Sequence, residues 1–518
     1  MNNRARTLSN ALFSSVGMYT EYALGMLTSI IIARYLGPED FGAYSMVIWM
    51  VAVGVAISNA GSASAAIKFV AELRGGGNPE LIPPMLSHLR RVQNLFLLGL
   101  LLVGGVVFMS FGNKFAPGWN HWLLLGFLVV AVALRSSYMF NIGVAKGFEN
   151  FKATATVALV ATPINLALVA MAWWMDASVG WLLGVFLLSG CVFLWISRRQ
   201  IAPLLPEWKP GVTLPPELLA RVRRHVAWSA LSVSVGFFSA SEVEVMFLNM
   251  HADSHAAGQF KVAYQLAVGA TALVPGVFSA LLLPMMASAL SQGREIAARR
   301  FVGTTAYLAL LGLPLIAFGV VFGGDTILLM YGKEYIPAGA VFAFCLIGAC
   351  SSMMGSGASS LLISADRQRS VLIVVSFFAL MKLVLNAALI PHFGLNGAVA
   401  AYTFLGVASP VCCIVLACRA SGASLDWGRL GRVALAATIA ALVAFPLRDH
   451  VLPWVSVLGG GVVLALVYAL STLLLGCWSR GDIEHLQHLH QRFAAGRPRA
   501  GARLLEWAFQ RAPAGGSP

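Results

Sequence analysis

The sequence predicts an all-α polytopic membrane protein of about fourteen transmembrane helices, and three observations predict it. The 518 residues are 58% hydrophobic and 11% charged, with a mean hydropathy of +0.79, too apolar for soluble domains. Runs of about 18 to 28 apolar residues, each able to cross ~30 Å of hydrocarbon as a helix, alternate with short polar loops. Basic residues concentrate in every second loop, as expected of a chain oriented by its cytoplasmic positive charge.

The first run starts at Asn10. Its apolar core is too long for a signal peptide, and it exits into ARYLGPEDFG rather than a small-residue cleavage site. The next five start at Phe41, Val92, His121, Ala153 and Gly180. A polar loop follows, Arg198 to His225, with five prolines and six basic residues before the count is interrupted by the next span. Six more runs start at Val226, Gly258, Gly303, Pro337, Ser370 and Leu395, and two at Val433 and Pro453. The expected organisation is therefore an N-lobe (residues 1–200), a cytoplasmic linker (201–225) and a C-lobe (226–420). Two appended spans (421–478) and a basic amphipathic tail (479–518) complete it. Short strings recur between the lobes: YLGPEDFGAYSM follows the first span and MHADSHAAGQFKVAYQL the seventh, each an acidic turn before Gly-x-aromatic. Both lobes start on the same side, so the expected relation is a pseudo-two-fold along the membrane normal.

With both termini cytoplasmic, 27 Lys and Arg fall in inner segments and four outside: Arg34, Lys114, Lys333 and Arg448. The net charge of +14 thus reads as orientation and lipid contact, and no nucleic acid partner is implied. The four remaining cations lie within or at the ends of spans: Lys68, Arg135, Lys261 and Lys382. The carboxylates that do so are Glu21, Glu242 and Glu244. Each costs about 3 kcal/mol or more to insert, so these are the functional candidates.

Glu21 shares a helical face with Ser14, Gly17, Gly25 and Thr28, a small and polar stripe suited to a cavity or a close helix contact. Span seven repeats the device with Ser232, Ser239, Glu242 and Asn249; Glu244 lies on the far side. Lys68 and Lys261 sit near span ends, where they can also reach headgroups. Arg135 is mid-span with Tyr138 at i+3, and Lys382 is deep with Asn386 at i+4; either can pair with Glu21 or Glu242 and tie helices together. Gly17, Gly25, Pro163, Pro275, Pro284, Pro314 and Pro410 are candidate kink points.

Seven cysteines without CxxC spacing indicate neither disulfides nor a metal site. Gly75-Gly76-Gly77 lacks the GK[ST] of a phosphate loop. His485, His488 and His490 belong to the tail, which reads as a helix lying on anionic lipid rather than a metal site.

The strings IIARYLGPEDFGAYSMV, GQFKVAYQLAVGATALVPGVFSALLLPMMASAL, LMYGKEYIPAGAVF and LVLNAALIPHFGLNGAVAAY resemble the polysaccharide transport branch of the multidrug/oligosaccharidyl-lipid/polysaccharide exporter superfamily. That branch includes O-antigen and other lipid-linked oligosaccharide flippases, and the resemblance runs to about Trp478. It implies two six-helix lobes around a cavity lined by spans one, two, seven and eight. Lys68 and Lys261 would face each other there as cations, with Glu21 and Glu242 nearby. The implied activity is non-enzymatic: alternating-access transfer of a polyprenyl-diphosphate-linked oligosaccharide to the outer leaflet for O-antigen, capsule or exopolysaccharide assembly.

In that reading Lys68, Arg135, Lys261 and Lys382 meet the diphosphate, and Tyr19, Tyr22, Asn59 and Tyr264 meet sugars. Glu21, Glu242 and Glu244 supply counter-charge or coupling. No cofactor is expected beyond a coupling H⁺ or Na⁺. Expected partners are membrane lipids, a polysaccharide polymerase and glycosyltransferases at the inner membrane. A cation-coupled drug exporter of the same superfamily and a membrane-embedded polymerase or glycosyltransferase are the alternatives.

Overall fold

A computed structural model describes residues 3–59, 61–115, 119–207, 211–240, 242–273, 276–448 and 452–478, with seven tail residues (483, 484, 487, 506, 507, 509 and 510). The described residues are helical throughout, with no strand. In chain order the helices are α1 (Asn3–Asn59), α2 (Ser62–Gly75), α3 (Ile82–Phe115), α4 (His121–Gly147), α5 (Phe151–Trp174), α6 (Val179–Ile201), α7 (Pro216–Ala240) and α8 (Val243–His251). They continue as α9 (Ser254–Leu273), α10 (Gly276–Gln292), α11 (Arg294–Tyr331), α12 (Ala338–Ser364), α13 (Gln368–Ser421) and α14 (Trp427–Ala444). A short α15 (Pro453–Val455) leads through a π turn into α16 (Gly461–Leu474).

Among the described residues ten helices are long and apolar enough to cross a membrane, and α7 with α8 makes an eleventh as a broken span. The expected fourteen crossings differ from this tally because two helices carry two crossings each. The apolar stretch of α1 alone covers 41 residues, about 60 Å at 1.5 Å per residue, twice the hydrocarbon thickness. Gly37 breaks α1 with φ 73° and ψ 172°, and Gly394 breaks α13 with φ 52°, a region open to glycine at little steric cost. The eighth expected span falls on α9 and α10, neither of which is among the ten. The helices run on through Pro163, Pro284, Pro314 and Pro410, and among the described residues α1 and α13 break at the two glycines instead. Pro275 lies outside the described residues, as do His485, His488 and His490 of the tail.

Local chemistry sets the helix starts. Asn120 accepts from the Trp122 and Leu123 amides, Asn150 from Ala153 and Asp426 from Arg429, which satisfies orphan N–H groups at α4, α5 and α14. The outward faces are oily: Leu95, Val103 and Val106 on α3 are each 68% exposed, an arrangement that only a lipid solvent makes favourable.

The chain forms two compact units, residues 1–265 with 375–401 and residues 266–374 with 402–518. In the first, α2, α3, α4 and α7 bury Phe69, Met85, Leu89, Phe140 and Val222 in one cluster. In the second, α11, α14 and α16 pack through Phe322, Val433, Ala440 and Leu464. There Asp325 of α11 accepts a hydrogen bond from Ser456 of the π turn. Ile483, 1% exposed, packs in the second unit on Leu473 and Trp478 together with Trp507 and Phe509 of the tail.

Candidate functional site

The first unit holds a cavity of about 420 Å³, within the ~300–1,000 Å³ range of small-molecule sites. Both halves of α1 line it, with α4, α5, α6, the α7–α8 junction and α9. The Gly37 break lets α1 present Gly25, Thr28 and Ser29 on one limb and Tyr44, Ser45 and Trp49 on the other. The small and polar stripe of the first span thus reaches the cavity through Gly25 and Thr28. Gly17 packs on α5, where an added Cβ would sit 3.0 Å from Ala155 Cα, and the Ser14 side chain lies outside the described residues.

Arg135 of α4 is the cation on this wall without a carboxylate of its own. Its guanidinium carbon is 4.8 Å from the ring centres of both Phe186 and Phe193 on α6. Two aromatic faces fix the group, each contributing about 0.5–2 kcal/mol, without neutralising it. Among the described residues no ion pair holds Arg135; Glu21, Tyr44 and Tyr138 act on it electrostatically from further away.

Lys261 of α9 reaches the same cavity and is ion-paired to Glu242, both side chains about one-fifth exposed. Glu242 occupies the turn where α7 has ended and α8 has not begun, with φ −81° and ψ 60°. The heptad stripe expected through Ser239, Glu242 and Asn249 is therefore interrupted by a helix break, and Glu242 reaches the cavity from the break. One turn beyond Lys261, Gln265 Oε1 accepts from Ser29 Oγ at 2.8 Å, tying α9 to α1. Tyr264 is buried on the cavity wall and stacks on Phe260 at 6.0 Å. The cavity lining carries Arg135, Lys261 and Glu242 as its ionisable Lys, Arg, Asp or Glu side chains, a formal charge of one positive.

The other candidates take different places. Glu21 and Tyr22 are exposed on α1, and Tyr19 is half-buried. Glu244 is fully buried and lies 3.3 Å from Lys382 of α13 in an ion pair whose lysine side chain is 7% exposed. Asn386, one turn along α13, is buried with neither amide atom hydrogen-bonded. Lys68 is exposed on α2, away from the cavity wall. Asn59 joins a buried network instead: it donates to Ser136 O at 3.1 Å and accepts from Gln93 Nε2 at 2.9 Å. Arg90 extends the network, donating to Gln93 and Asn141, and Asn141 donates to Ser197 of α6 at 3.0 Å.

Residues 7–290, more than half of the chain, match the family model described as polysaccharide biosynthesis protein. The chain belongs to the polysaccharide biosynthesis protein family. Among solved structures this family member is similar to the lipid II flippase MurJ in an inward closed conformation, with a TM-score of 0.73 and 11% identity over 89% of this chain and 98% of that one. It is similar also to an inward-facing multidrug resistance MATE family transporter of the MOP superfamily, with a TM-score of 0.61 and 14% identity over 79% and 98%. A Vibrio cholerae MATE transporter matches with a TM-score of 0.54 and 13% identity over 80% and 96%. At these identities the likeness is one of fold. No curated protein matches the sequence.

Several residues of this polysaccharide biosynthesis family protein escaped the sequence reading. Phe186 and Phe193 looked like ordinary apolar side chains, and nothing in their spacing ties them to Arg135. Gln93 and Asn141 did carry a signal, since an amide inside an apolar span needs a partner. Gln265 carried it too.

Proposed function

We propose that this protein is a non-enzymatic flippase that moves a polyprenyl-diphosphate-linked oligosaccharide across the membrane, with Arg135 as the cation that receives the diphosphate. The observation that carries the reading is a guanidinium that no ion pair holds among the described residues, set against two phenyl rings in a membrane cavity whose lining is formally one positive. A diphosphate leaving water for such a slot needs a fixed cation, and a guanidinium can meet phosphate oxygens bidentately. Membership of the polysaccharide biosynthesis family and the flippase-like fold support the sugar-bearing lipid as cargo.

The Glu242–Lys261 pair supplies release. While paired, the two contribute no net charge; a phosphate that displaces Glu242 gains the Lys261 ammonium, and the return of the carboxylate to Lys261 lets the phosphate go. Alternating access then carries the lipid outward, with both termini in the cytoplasm and the protein in the inner membrane.

The alternative, a drug exporter, is disfavoured by the same charge, because drugs of that class are commonly cationic and would meet a positive wall. The test is a vesicle assay. Purified protein in proteoliposomes should carry a fluorescent polyprenyl-diphosphate oligosaccharide out of reach of an external quencher, and Arg135→Gln should abolish that transfer. Transfer unchanged by the substitution, or export of cationic dyes instead, overturns the reading.

A further inference from the structure

Lys68 lies off the cavity, yet its surroundings are not those of an idle surface lysine. It projects from α2 beside Phe69, which is buried to 1% exposure, and its ammonium sits 5.2 Å from the centre of that ring. The guanidinium carbon of Arg221 on α7 is 5.8 Å from the same ring centre. His225, one turn further along α7, meets the ring edge-on at 5.6 Å. One phenyl ring therefore gathers two cations and an imidazole from two helices.

The hydroxyls are placed in the same corner. His225 Nε2 lies 3.3 Å from Ser64 Oγ of α2 and 3.2 Å from Ser229 Oγ of α7. The carboxylate that offsets the charge is Glu72, already engaged by Arg221 at 2.9 Å. Among the described residues Lys68 makes no ion pair, and Arg223 and Arg224 add further exposed charge on α7. Lys68 and Arg221 repel one another at one ring, and the single Glu72 carboxylate offsets only one of the two charges.

We infer that this α2–α7 corner is a docking site for a phosphate group carried on a lipid. Lys68 and Arg221 are its cations and Ser64 is a hydroxyl donor. This rests on the proposed orientation, which puts the corner at the cytoplasmic leaflet, where anionic headgroups lie at the depth of span ends. Aromatic contact holds each cation at the ring while leaving its N–H groups able to meet phosphate oxygens. The phosphate has two sources, the headgroup of an anionic phospholipid or the diphosphate of the lipid-linked substrate before it enters the cavity.

The site is separable from the cavity, so the measurement uses the full-length Arg135→Gln protein in detergent, in which the cavity lining has no formal net charge, Lys261 being paired with Glu242. Binding of phosphatidylglycerol, polyprenyl diphosphate and phosphatidylcholine is followed by native mass spectrometry. Replacing Lys68 and Arg221 together by Gln should weaken both phosphate-bearing anionic lipids by on the order of tenfold and leave phosphatidylcholine unaffected. Glu72→Gln removes the offsetting carboxylate and should strengthen the same binding several-fold, a sign that no loss of folding can produce. Preference for polyprenyl diphosphate makes the corner a loading site; equal binding makes it a site for leaflet lipid. Unchanged affinity in the double variant overturns the inference, and so does a loss there without a gain in Glu72→Gln. Neither result depends on whether the vesicle assay shows transport.

Discussion

Glu242 holds Lys261 in an ion pair on the wall of the cavity where, among the described residues, no ion pair holds Arg135. The two cations are thereby set to different tasks: one is permanently available, the other is available only when Glu242 lets it go. Glu242→Gln should leave Lys261 unpaired in a half-buried site and raise the formal charge of the cavity by one. The expected result is tighter binding of a polyprenyl-diphosphate lipid, by about tenfold for each ~1.4 kcal/mol gained, with slower turnover in vesicles. Titration in detergent and a transport time course check it together. Weaker binding with unchanged turnover contradicts it.

Lys382 and Glu244 form the other buried pair, and their burial is deeper. Removing one partner strands a charge, so Lys382→Met alone should cost about 3–5 kcal/mol, while replacing both by apolar residues should recover much of that. Thermal unfolding of the purified variants measures it. A single substitution that melts with the wild type would show that the pair adds nothing.

Two of the four strings that carry the family resemblance meet one another in the first unit. A Cβ added to Gly42 would lie 1.8 Å from the Ser254 carbonyl oxygen, and one added to Gly258 would lie 1.9 Å from that of Pro38. Backbone cannot yield by such amounts in a close-packed contact. Gly42→Ala and Gly258→Ala should both fail to give monodisperse protein, whereas Gly25→Ala, with nothing within 4 Å, should purify normally. Size-exclusion profiles decide it.

That contact also marks where sequence reasoning stops. Hydropathy and charge bias reveal the spans and their ends because both are properties of one helix against its solvent. The stripe through Gly25 and Thr28 was readable for the same reason: periodicity reports which residues share a face. It does not report which helix the face meets. So the pairing of Glu242 with Lys261, 19 residues on, is not legible in the sequence, and neither are the bonds of the Asn59 amide to Gln93 and Ser136. The helix break before Val243 was also hidden, since no proline or glycine marks it.

The network around Asn59 predicts a stability effect rather than a transport effect. Gln93→Leu takes from Asn59 Oδ1 the donor that Gln93 supplies and leaves the Ser136 groups only their bonds to Asn59 and Ser58, which should cost about 1–3 kcal/mol for the orphaned acceptor. Transport per folded molecule should be unchanged. A melting curve combined with the vesicle assay separates the two readouts, and a variant that folds normally yet fails to transport would return Asn59 to the list of substrate contacts.

The most direct test of the central claim is the affinity of purified protein for a labelled polyprenyl-diphosphate sugar, compared between the wild type, Arg135→Lys and Arg135→Gln. If Arg135 receives the diphosphate, the glutamine variant should bind on the order of a hundredfold more weakly and the lysine variant should fall between, because it keeps the charge but loses the planar fork. Equal affinity across the three proteins would contradict the account.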